Sequence, residues 1–282
     1  MTPQNRVTAL VPAYEAAAFI SKTLDSLSSQ TLNKFDVIIS VDTCKDDTHT
    51  ICQKYCVNYE NFRVIRQDRR LGWVGNCNYL LEQAETRYAL FALHDDVLAP
   101  TYLEKLCQAL DERPDVVICY SDMLVTFANG EHELQRYPEL DGMQNTVLRG
   151  QKMLNKIGYW WVPYRGIFRL NQARKINGLK LHGAGDFSAD WPWLFHMSLL
   201  GEFLRIPETL CYKFQKKDSH SGGWKHSPKH WHEATLACMQ ELWSSELTLW
   251  EKLYLTLRFH GGPHLAAKLA VRHIQPQIEC HD

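Results

Sequence analysis

Apolar positions in the first half of the chain fall into short runs that alternate with segments of helical spacing. Five runs rich in β-branched and aromatic residues have the length of buried strands: VTALVP, FDVIISVD, FRVIRQD, YALFAL and DVVICYSDMLVTF. Between the first two runs, Ile20, Leu24 and Leu27 recur at the spacing of one helix face. The alternation predicts parallel βαβ units, that is, an α/β fold with a Rossmann-like, mostly parallel sheet flanked by helices.

Polar side chains follow these strands at the points where the strands end. Tyr14 and Glu15 come after the first strand, Asp42 after the second, and Asp95 and Asp96 after the fourth. Because ligands of parallel sheets bind at the carboxyl ends of the strands, we expect these residues to converge at one edge. Two adjacent carboxylates suit Mg²⁺ or Mn²⁺, which commonly shares its remaining positions with substrate phosphates. The alternative is a solvated turn whose Asp caps the following helix.

The pattern changes after about residue 130. Residues 128–150 are polar and contain three glycines, which predicts a loop, and an aromatic cluster, IGYWWVPYRGIFRL, follows. Helical spacing around Trp193 and a short strand at 203–206 come next. A second helical stripe, which predicts a helical C-terminal extension, contains Leu236, Met239, Trp243, Trp250, Leu253 and Leu257.

Composition narrows the classes of function. Thirty-one Lys and Arg against 32 Asp and Glu give a net charge of -1, which argues against a nucleic-acid partner. Nine Cys without paired spacing are typical of reduced thiols in a cytosolic protein. The first residues lack the pattern of a secretory signal, and no run reaches the roughly 18 apolar residues of a membrane span. These features predict a cytoplasmic protein.

Five segments in order resemble one known family. VTALVPAYEAAAFISKTLDSLSSQT, VIISVDTCKDDT, RRLGWVGNCN, HDDV and GAGDFSADWPWLFHM are similar to motifs of the inverting glycosyltransferases of family two, which have the A-type nucleotide-sugar transferase fold. The resemblance covers residues 5–215. It implies a nucleoside-diphosphate sugar donor (UDP or dTDP), a glycan or lipid-linked glycan acceptor, Mg²⁺ or Mn²⁺ on the diphosphate, and a role in bacterial surface polysaccharide or glycolipid assembly.

The resemblance also implies a division of the chain. Residues 1–215 would form the nucleotide-sugar-binding catalytic domain, with a donor half at about 1–127 and an acceptor half at about 128–215. Residues 216–282 would form a lid segment and the helical C-terminal extension. A homodimer is compatible with this organisation.

Site residues are carried over by motif position. Asp96 and His220 correspond to metal ligands, although Leu93 replaces the first acid of the usual DxDD and Cys77 stands where Arg is common. The implied donor-binding residues are Pro12, Ala13, Tyr14, Glu15, Asp42, Gly72, Asn78, His94 and Asp95.

Asp190, in SADWPW, matches the family's catalytic carboxylate. The acceptor hydroxyl must lose a proton as it attacks, so a general base is required. Burial beside tryptophans would raise the pKa of a carboxylate toward that task. In the alternative, Asp190 caps the helix and Asp186 is the base. A nearby aromatic group suits either an acceptor-site wall or core packing, and consists of Trp160, Trp161, Arg169 and Trp191.

Two segments near the C-terminus allow more than one interpretation. His226, His230 and His232 have a spacing that suits zinc, but no Cys accompanies them, and a polar loop entering a helix is the simpler interpretation. The basic apolar segment after residue 248 suits either the face of an anionic membrane or packing on the catalytic domain or in a dimer, and it contains Lys252, Arg258, Lys268 and Arg272.

The sequence lacks the motifs of two other enzyme classes that use an α/β fold. A sugar nucleotidyltransferase needs a glycine-rich loop after the first strand, and VPAYEAAAF has no glycine. A dehydrogenase would show G-x-G-x-x-G at the same place. A degenerate glycosyltransferase that binds carbohydrate or nucleotide without catalysis is favoured by the departures at Leu93 and Ala189.

Overall fold

The computed structural model describes residues 6–215, 223–224 and 226–260. The strands are β1 (Val7–Ala13), β2 (Asp36–Val41), β3 (Phe62–Arg66), β4 (Tyr88–Phe91), β5 (Asp96–Leu98), β6 (Val116–Phe127), β7 (His132–Gln135), β8 (Ile167–Arg169) and β9 (Glu202–Gln215). The α-helices are α1 (Ile20–Ser28), α2 (Thr48–Asn58), α3 (Gly72–Gln83), α4 (Tyr102–Glu112), α5 (Thr146–Leu154), α6 (Leu170–Lys175), α7 (Asp190–Leu200), α8 (Pro228–Ser244) and α9 (Leu249–His260).

The strands of the described chain form one mixed sheet in the order β3-β2-β1-β4-β8-β6-β9-β5, with β7 paired to β6. β1 to β4 run parallel to one another, and β6 and β9 are also parallel. β8 is antiparallel to both of its neighbours, β4 and β6. The predicted α/β architecture, a mostly parallel sheet flanked by helices, is therefore confirmed, and the helical C-terminal extension is present as α8 and α9.

Burial follows the apolar pattern of the strands. All seven residues of β1 and all four of β4 are buried, as expected for central strands covered by helices on both faces. α1 and α4 bury one apolar face each, through residues such as Leu24, Leu27, Leu103 and Leu106. This core fixes the strands whose carboxyl ends carry the polar residues.

Three predictions about the second half of the chain were wrong in detail. The segment 128–150 is not one loop, because it contains β7 and the start of α5. β7 escaped notice because it is a short edge strand with two of its four residues exposed. The strand expected at 203–206 extends to Gln215, and the C-terminal stripe is two helices interrupted at 245–248.

Both proposed halves contribute strands to the same sheet, and the boundaries between them stay predictions. None of the helices formed by the described residues is both long and apolar enough to span a bilayer. The predicted ligand His220 lies outside the described residues.

Candidate active site

The carboxyl ends of β1, β2 and β4 meet at one edge of the sheet. The backbone N–H of Asp42 donates to the carbonyl of Ala13 at 2.8 Å, which joins the ends of β2 and β1. Nδ1 of His94, just beyond β4, is 2.9 Å from the carbonyl oxygen of Pro12. Because a carbonyl can only accept, His94 carries a proton on Nδ1, and its Nε2 is the acceptor nitrogen of the neutral ring.

Hydrogen bonds to residues at the start of α2 hold the loop that follows β1. Thr48 Oγ1 accepts from the backbone N–H of Ala16 at 2.8 Å, and Asp46 Oδ2 accepts from that of Ala17 at 2.9 Å. Glu15 has a φ of 45°, so the chain turns sharply just after the strand. The Arg70 guanidinium stacks 4.0 Å from the Tyr14 ring centroid. Tyr14 and Glu15 are thus presented at the edge by a braced turn.

Asp42 is 2% exposed, and its carboxylate organises the entrance of α3. Oδ1 accepts from the backbone N–H groups of Thr43 (3.0 Å) and Leu71 (2.8 Å), and Oδ2 accepts from that of Gly72 (2.8 Å). Gly72 has a φ of 73°, a conformation that side chains disfavour, which explains the glycine. The carboxylate of Asp42 thus already accepts three hydrogen bonds within the protein. Its contact with a nucleotide base stays a prediction.

The acidic pair at the start of β5 is surrounded by cations. Arg165 Nε donates to Asp96 Oδ2 at 2.8 Å, and the Lys213 ammonium lies 3.3 Å from Asp95 Oδ2 and 3.7 Å from Asp96 Oδ1. Asp96 Oδ1 is buried and makes no hydrogen bond. Burial alone would raise the pKa of Asp95, but Lys213, His94 and Arg165 outweigh it and lower that pKa. Asp95 is therefore held as an anion.

This pair has the donor chemistry for a divalent cation that is shared with a diphosphate. A buried carboxylate oxygen without a hydrogen bond, Asp96 Oδ1, is a hard ligand with an unsatisfied lone pair. Within residues 6–215, 223–224 and 226–260, no three His, Cys, Asp or Glu side chains form a complete metal cage. The hydrogen bond from His94 Nδ1 to Pro12 leaves Nε2 with a free lone pair, which is the form of histidine that can bind a metal ion. Lys213 competes for the same carboxylate oxygens.

Asp190 begins α7 and has an unusual environment. Its Oδ1 is buried without a hydrogen-bond partner. Burial raises the pKa of Asp190 to about 6, although Arg165, Lys156 and the backbone N–H groups at the start of α7 act in the opposite direction. A carboxylate with this pKa and an unsatisfied oxygen is suited to accept a proton near neutral pH.

Sequence reasoning missed Arg165 and Lys213. Arg165 ends a short 3₁₀ helix (Val162–Arg165), and its side chain, 12% exposed, acts electrostatically on Asp190 while it binds Asp96. Arg165 thus connects the acidic pair with the candidate base. Lys213 reaches the pair because β9 pairs with β5 in the register Asp96↔Lys213. The only sequence signals were two cations within apolar aromatic segments, PYRGIF and LCYKF.

Two predicted site residues have structural partners elsewhere. Arg169 pairs with Tyr88 at the start of β4, the opposite end of the sheet, and donates to the carbonyls of Leu110, Arg113 and Val116. Its predicted acceptor contact was wrong. Asn78 makes two hydrogen bonds, at 2.8 and 2.9 Å, with the backbone of Leu179 and so holds a turn. Its amide is therefore occupied, and the predicted donor contact is not supported.

The sequence profile of Glycosyl transferase family 2 matches residues 8–170, more than half of the chain. The chain belongs to glycosyltransferase family 2. The matched region runs from the first residues of β1 to the end of β8, and so includes the tips of β1, β2 and β4, the acidic pair and Arg165.

One curated relative resembles most of this chain, and two solved structures share its fold. The uncharacterized glycosyltransferase YibD of Escherichia coli K12 is 30% identical over 221 residues, which are 76% of this chain and 62% of YibD. The structure of Staphylococcus aureus TarS 1–349 in complex with UDP-GlcNAc superposes with a TM-score of 0.73 at 18% identity, covering 97% of this chain and 77% of that one. The mannosyltransferase PcManGT of Pyrobaculum calidifontis, in complex with GDP-Man and Mn²⁺, superposes with a TM-score of 0.61 at 14% identity. The superposition covers 98% of this chain and 77% of PcManGT. This chain spans less than two thirds of YibD.

The aromatic group of this family 2 glycosyltransferase is mainly core. Trp160 and Trp191 are only 7% and 1% exposed, and Trp191 Nε1 donates to the Met153 carbonyl. For these two rings the predicted acceptor wall was wrong, and core packing explains them. Trp161 is partly exposed and donates through Nε1 to Gln135 Oε1. The Lys156 ammonium lies 3.5 and 3.2 Å from the ring centroids of Trp191 and Trp231, at a site where burial lowers the lysine pKa.

Proposed function

We propose that this glycosyltransferase is an inverting enzyme that uses a UDP- or dTDP-sugar and that Asp190 is its general base. The observation that carries the proposal is the Asp190 carboxyl, which combines a pKa of about 6 with a buried, unpaired Oδ1. Arg165 binds Asp96 at 2.8 Å and also acts electrostatically on Asp190, at the sheet edge where strands of α/β proteins present their ligands. This shared cation supports a single site that contains both the base and the acidic pair.

The reaction is a single displacement. The acceptor hydroxyl oxygen forms a bond to the anomeric carbon, and the bond from that carbon to the diphosphate oxygen breaks. The bonding electron pair leaves with the nucleoside diphosphate, and the hydroxyl proton passes to Asp190. Attack from the face opposite to the leaving group inverts the centre, so an α-sugar donor gives a β-linked product.

Positive charge near the acidic pair would stabilise the departing diphosphate. Arg165 and Lys213 are the cations that this chain places there, and their side chains are 12% exposed. Mg²⁺ or Mn²⁺, held by Asp96 and a histidine, His94 or His220, would supply further charge to the leaving group. The Mn²⁺ and GDP-Man in PcManGT and the UDP-GlcNAc in TarS support a nucleotide-sugar donor and a cation.

The remaining roles follow from position. The donor would lie on the edge formed by Pro12, Ala13, Tyr14 and Glu15. Asp42 and Gly72 would lie behind the nucleotide base, and His94 and Asp95 would lie near the ribose. Trp161, the partly exposed ring of the aromatic group, would contact a glycan or lipid-linked glycan acceptor. Residues 1–215 would form the catalytic domain, and residues 216–282 would form a lid and a helical extension.

Replacing Asp190 separates catalysis from donor binding. In Asp190→Asn, we expect the transfer rate to fall by about 10²–10⁴, because the base is lost while the shape is kept. The thermal stabilisation by UDP should persist, since Asp190 is not a donor ligand. Asp186→Asn is the matched control, four residues earlier in the same segment, and should change the rate only a few-fold. Normal transfer by Asp190→Asn, or its loss in Asp186→Asn, would remove the assignment.

A degenerate transferase that binds nucleotide without catalysis is the second candidate. It is favoured by Leu93 and Ala189, which replace acids of the family pattern, and by the two cations that already neutralise the acidic pair. Release of nucleoside diphosphate from a UDP-sugar in the presence of Mn²⁺ distinguishes the two. A pure binding protein releases none.

A further inference from the structure

Among the residues that the structure describes, helix α9 packs on the protein through one of its two apolar faces. Its inner face includes Leu255 and Phe259, which are 0% and 7% exposed. A Cβ built at Gly150 of α5 would lie 3.5 Å from Leu255, and the Phe259 ring is 6.4 Å from the Trp191 ring. The helix is therefore anchored next to the segment that carries Asp190.

The opposite face of α9 is apolar and open to solvent. Trp250, Tyr254 and Leu257, which are spaced as one helical stripe, are 79%, 39% and 74% exposed, and Leu249 beside them is 60% exposed. We call these four residues the α9 outer face. A helix that only covers a core presents polar residues to solvent, so four large apolar side chains here indicate an interaction surface.

The charge of this part of the chain indicates the sign of the partner. From residue 252 to residue 278 the sequence contains no Asp or Glu and four basic residues: Lys252, Arg258, Lys268 and Arg272. Arg258 lies on α9 itself, with its guanidinium 5.4 Å from the centroid of the Tyr254 ring. Among the described residues, α9 carries Lys252 and Arg258 against one acidic residue, Glu251, which accepts hydrogen bonds from Thr248. The helix is thus net positive, and an acidic partner is favoured.

We propose that the α9 outer face binds the surface of an anionic lipid bilayer. Indole and phenol rings combine an apolar body with a polar group and suit the headgroup region, and leucine enters the acyl boundary. Arg258, on the same helix, would contact lipid phosphates. A second copy of the chain fits less well, because a two-fold contact brings the same cations of both copies together.

Membrane binding by the α9 outer face is independent of the reaction that the site performs. It does place the bilayer beside the helices that pack against Trp191, the neighbour of the candidate base. An acceptor that is embedded in the bilayer by a lipid would then be presented from this side.

Vesicle flotation of the full chain tests the proposal. The vesicles consist of phosphatidylcholine alone or mixed with phosphatidylglycerol. We expect wild-type protein to float with the anionic vesicles. The variant Trp250→Ser/Leu257→Ser should bind these vesicles at least about tenfold more weakly, because two apolar anchors are lost. Val57→Ser/Leu181→Ser is the matched control, since these apolar residues are also exposed (85% and 65%) but lie outside α9, and it should float like wild type.

Arg258→Glu tests the charge without removing an apolar anchor. It should weaken binding to anionic vesicles several-fold and reduce the dependence of that binding on salt. Absence of flotation by wild type, or equal losses in the α9 and control variants, would overturn the proposal. So would a dimer in light scattering that Trp250→Ser/Leu257→Ser dissociates while no variant floats, because the face would then belong to a second copy.

Discussion

Two carboxyl groups of the site, Asp95 and Asp190, have pKa values shifted in opposite directions. Both are desolvated, and burial acts on both in the same sense. At Asp95, Lys213, His94 and Arg165 overcome burial and lower the pKa, with Lys213 only 3.3 Å away. At Asp190, Arg165 and Lys156 oppose burial without overcoming it, and the pKa rises to about 6. The difference comes from the cations beside each group.

The lowered pKa of Asp95 and the raised pKa of Asp190 fit the two different roles proposed for these carboxyl groups. A carboxylate that must remain charged next to a metal ion or ribose benefits from close cations. A general base must instead release and accept a proton near the working pH, which requires burial with only distant cations. Arg165 takes part in both environments, so it is the residue whose removal should disturb the comparison most.

Arg165→Met should have the largest effect on stability. Asp96 would lose the guanidinium that binds Oδ2 at 2.8 Å, and a buried carboxylate without its partner costs about 3–5 kcal/mol. Lys213, 3.7 Å from the other oxygen, keeps the loss near the lower end. Transfer should fall as well, since positive charge beside the leaving group is lost. Urea unfolding at neutral pH and transfer assays measure the two effects.

Arg169→Met is the matched control for that variant. Arg169 is also buried, but its partners are backbone carbonyls at the far end of the sheet, and the cost should be about 1–3 kcal/mol. Transfer per folded molecule should stay at the wild-type rate. Equal loss of activity in both variants would contradict the assignment of Arg165 to the site.

The pair Arg165 and Arg169 also shows how far sequence reasoning reaches. The apolar runs of β1, β2 and β4 predicted where each of these strands ends. Because consecutive βαβ units are parallel, they also predicted that Tyr14, Asp42 and Asp96 lie at the same edge of the sheet. The direction of β8 has no such local signal. β8 is a three-residue strand that enters antiparallel between β4 and β6. Its reversal brings Arg165 to the site and moves Arg169 to the opposite end.

Long-range pairing explains the other omissions. Lys213 meets Asp96 only because the segment of β9 that pairs with β6 also pairs with β5 on its other side, after shifts in register that sequence periodicity does not reveal. Trp160 and Trp191 were expected at an acceptor surface, but α5, α8 and α9 pack around this region and bury them. In both cases residues far apart in the chain decide the outcome.

The pH dependence of stability sharpens the contrast at Asp190. Its pKa is raised from 3.8 to about 6, so between these values the folded protein keeps a proton that the unfolded chain has released. Wild-type stability therefore falls as the pH rises through this window. Asp190→Asn does not titrate there, and above about pH 7 it should be more stable than wild type by about 1–3 kcal/mol. Thermal or urea unfolding from pH 4 to 8 measures the difference, which should vanish toward the acidic end. A gap that is independent of pH would contradict the assigned pKa.

Lys213→Met tests the opposite shift at Asp95. Loss of the nearest cation should move the pKa of Asp95 upward, so the carboxylate would be protonated at higher pH than in wild type. Donor binding should weaken about fivefold, because a positive charge beside the proposed diphosphate position is lost, and most at acidic pH, where more of Asp95 is protonated. Thermal shift with UDP between about pH 4.5 and 7.5 follows the change. Lys22→Met, a lysine whose ammonium contacts the Phe214 ring instead, is the control and should bind UDP normally. Tighter UDP binding by Lys213→Met would show that the lysine excludes the donor.

The smallest expected effect comes from Lys156, the cation held between Trp191 and Trp231. Its positive charge lowers the pKa of Asp190, so Lys156→Met should raise that pKa further and shift the acidic limb of the transfer rate upward by a fraction of a pH unit. Burial also lowers the pKa of Lys156, so the shift depends on how much of the lysine is charged at the working pH. Two indole faces at 3.5 and 3.2 Å favour the ammonium form. The pH profile of the transfer rate in Lys156→Met, compared with that of Lys156→Arg, measures this charge. Lys156→Arg keeps the positive charge and should keep the acidic limb of the wild-type pH profile. If that limb also stays in place in Lys156→Met, the lysine is neutral and contributes only packing.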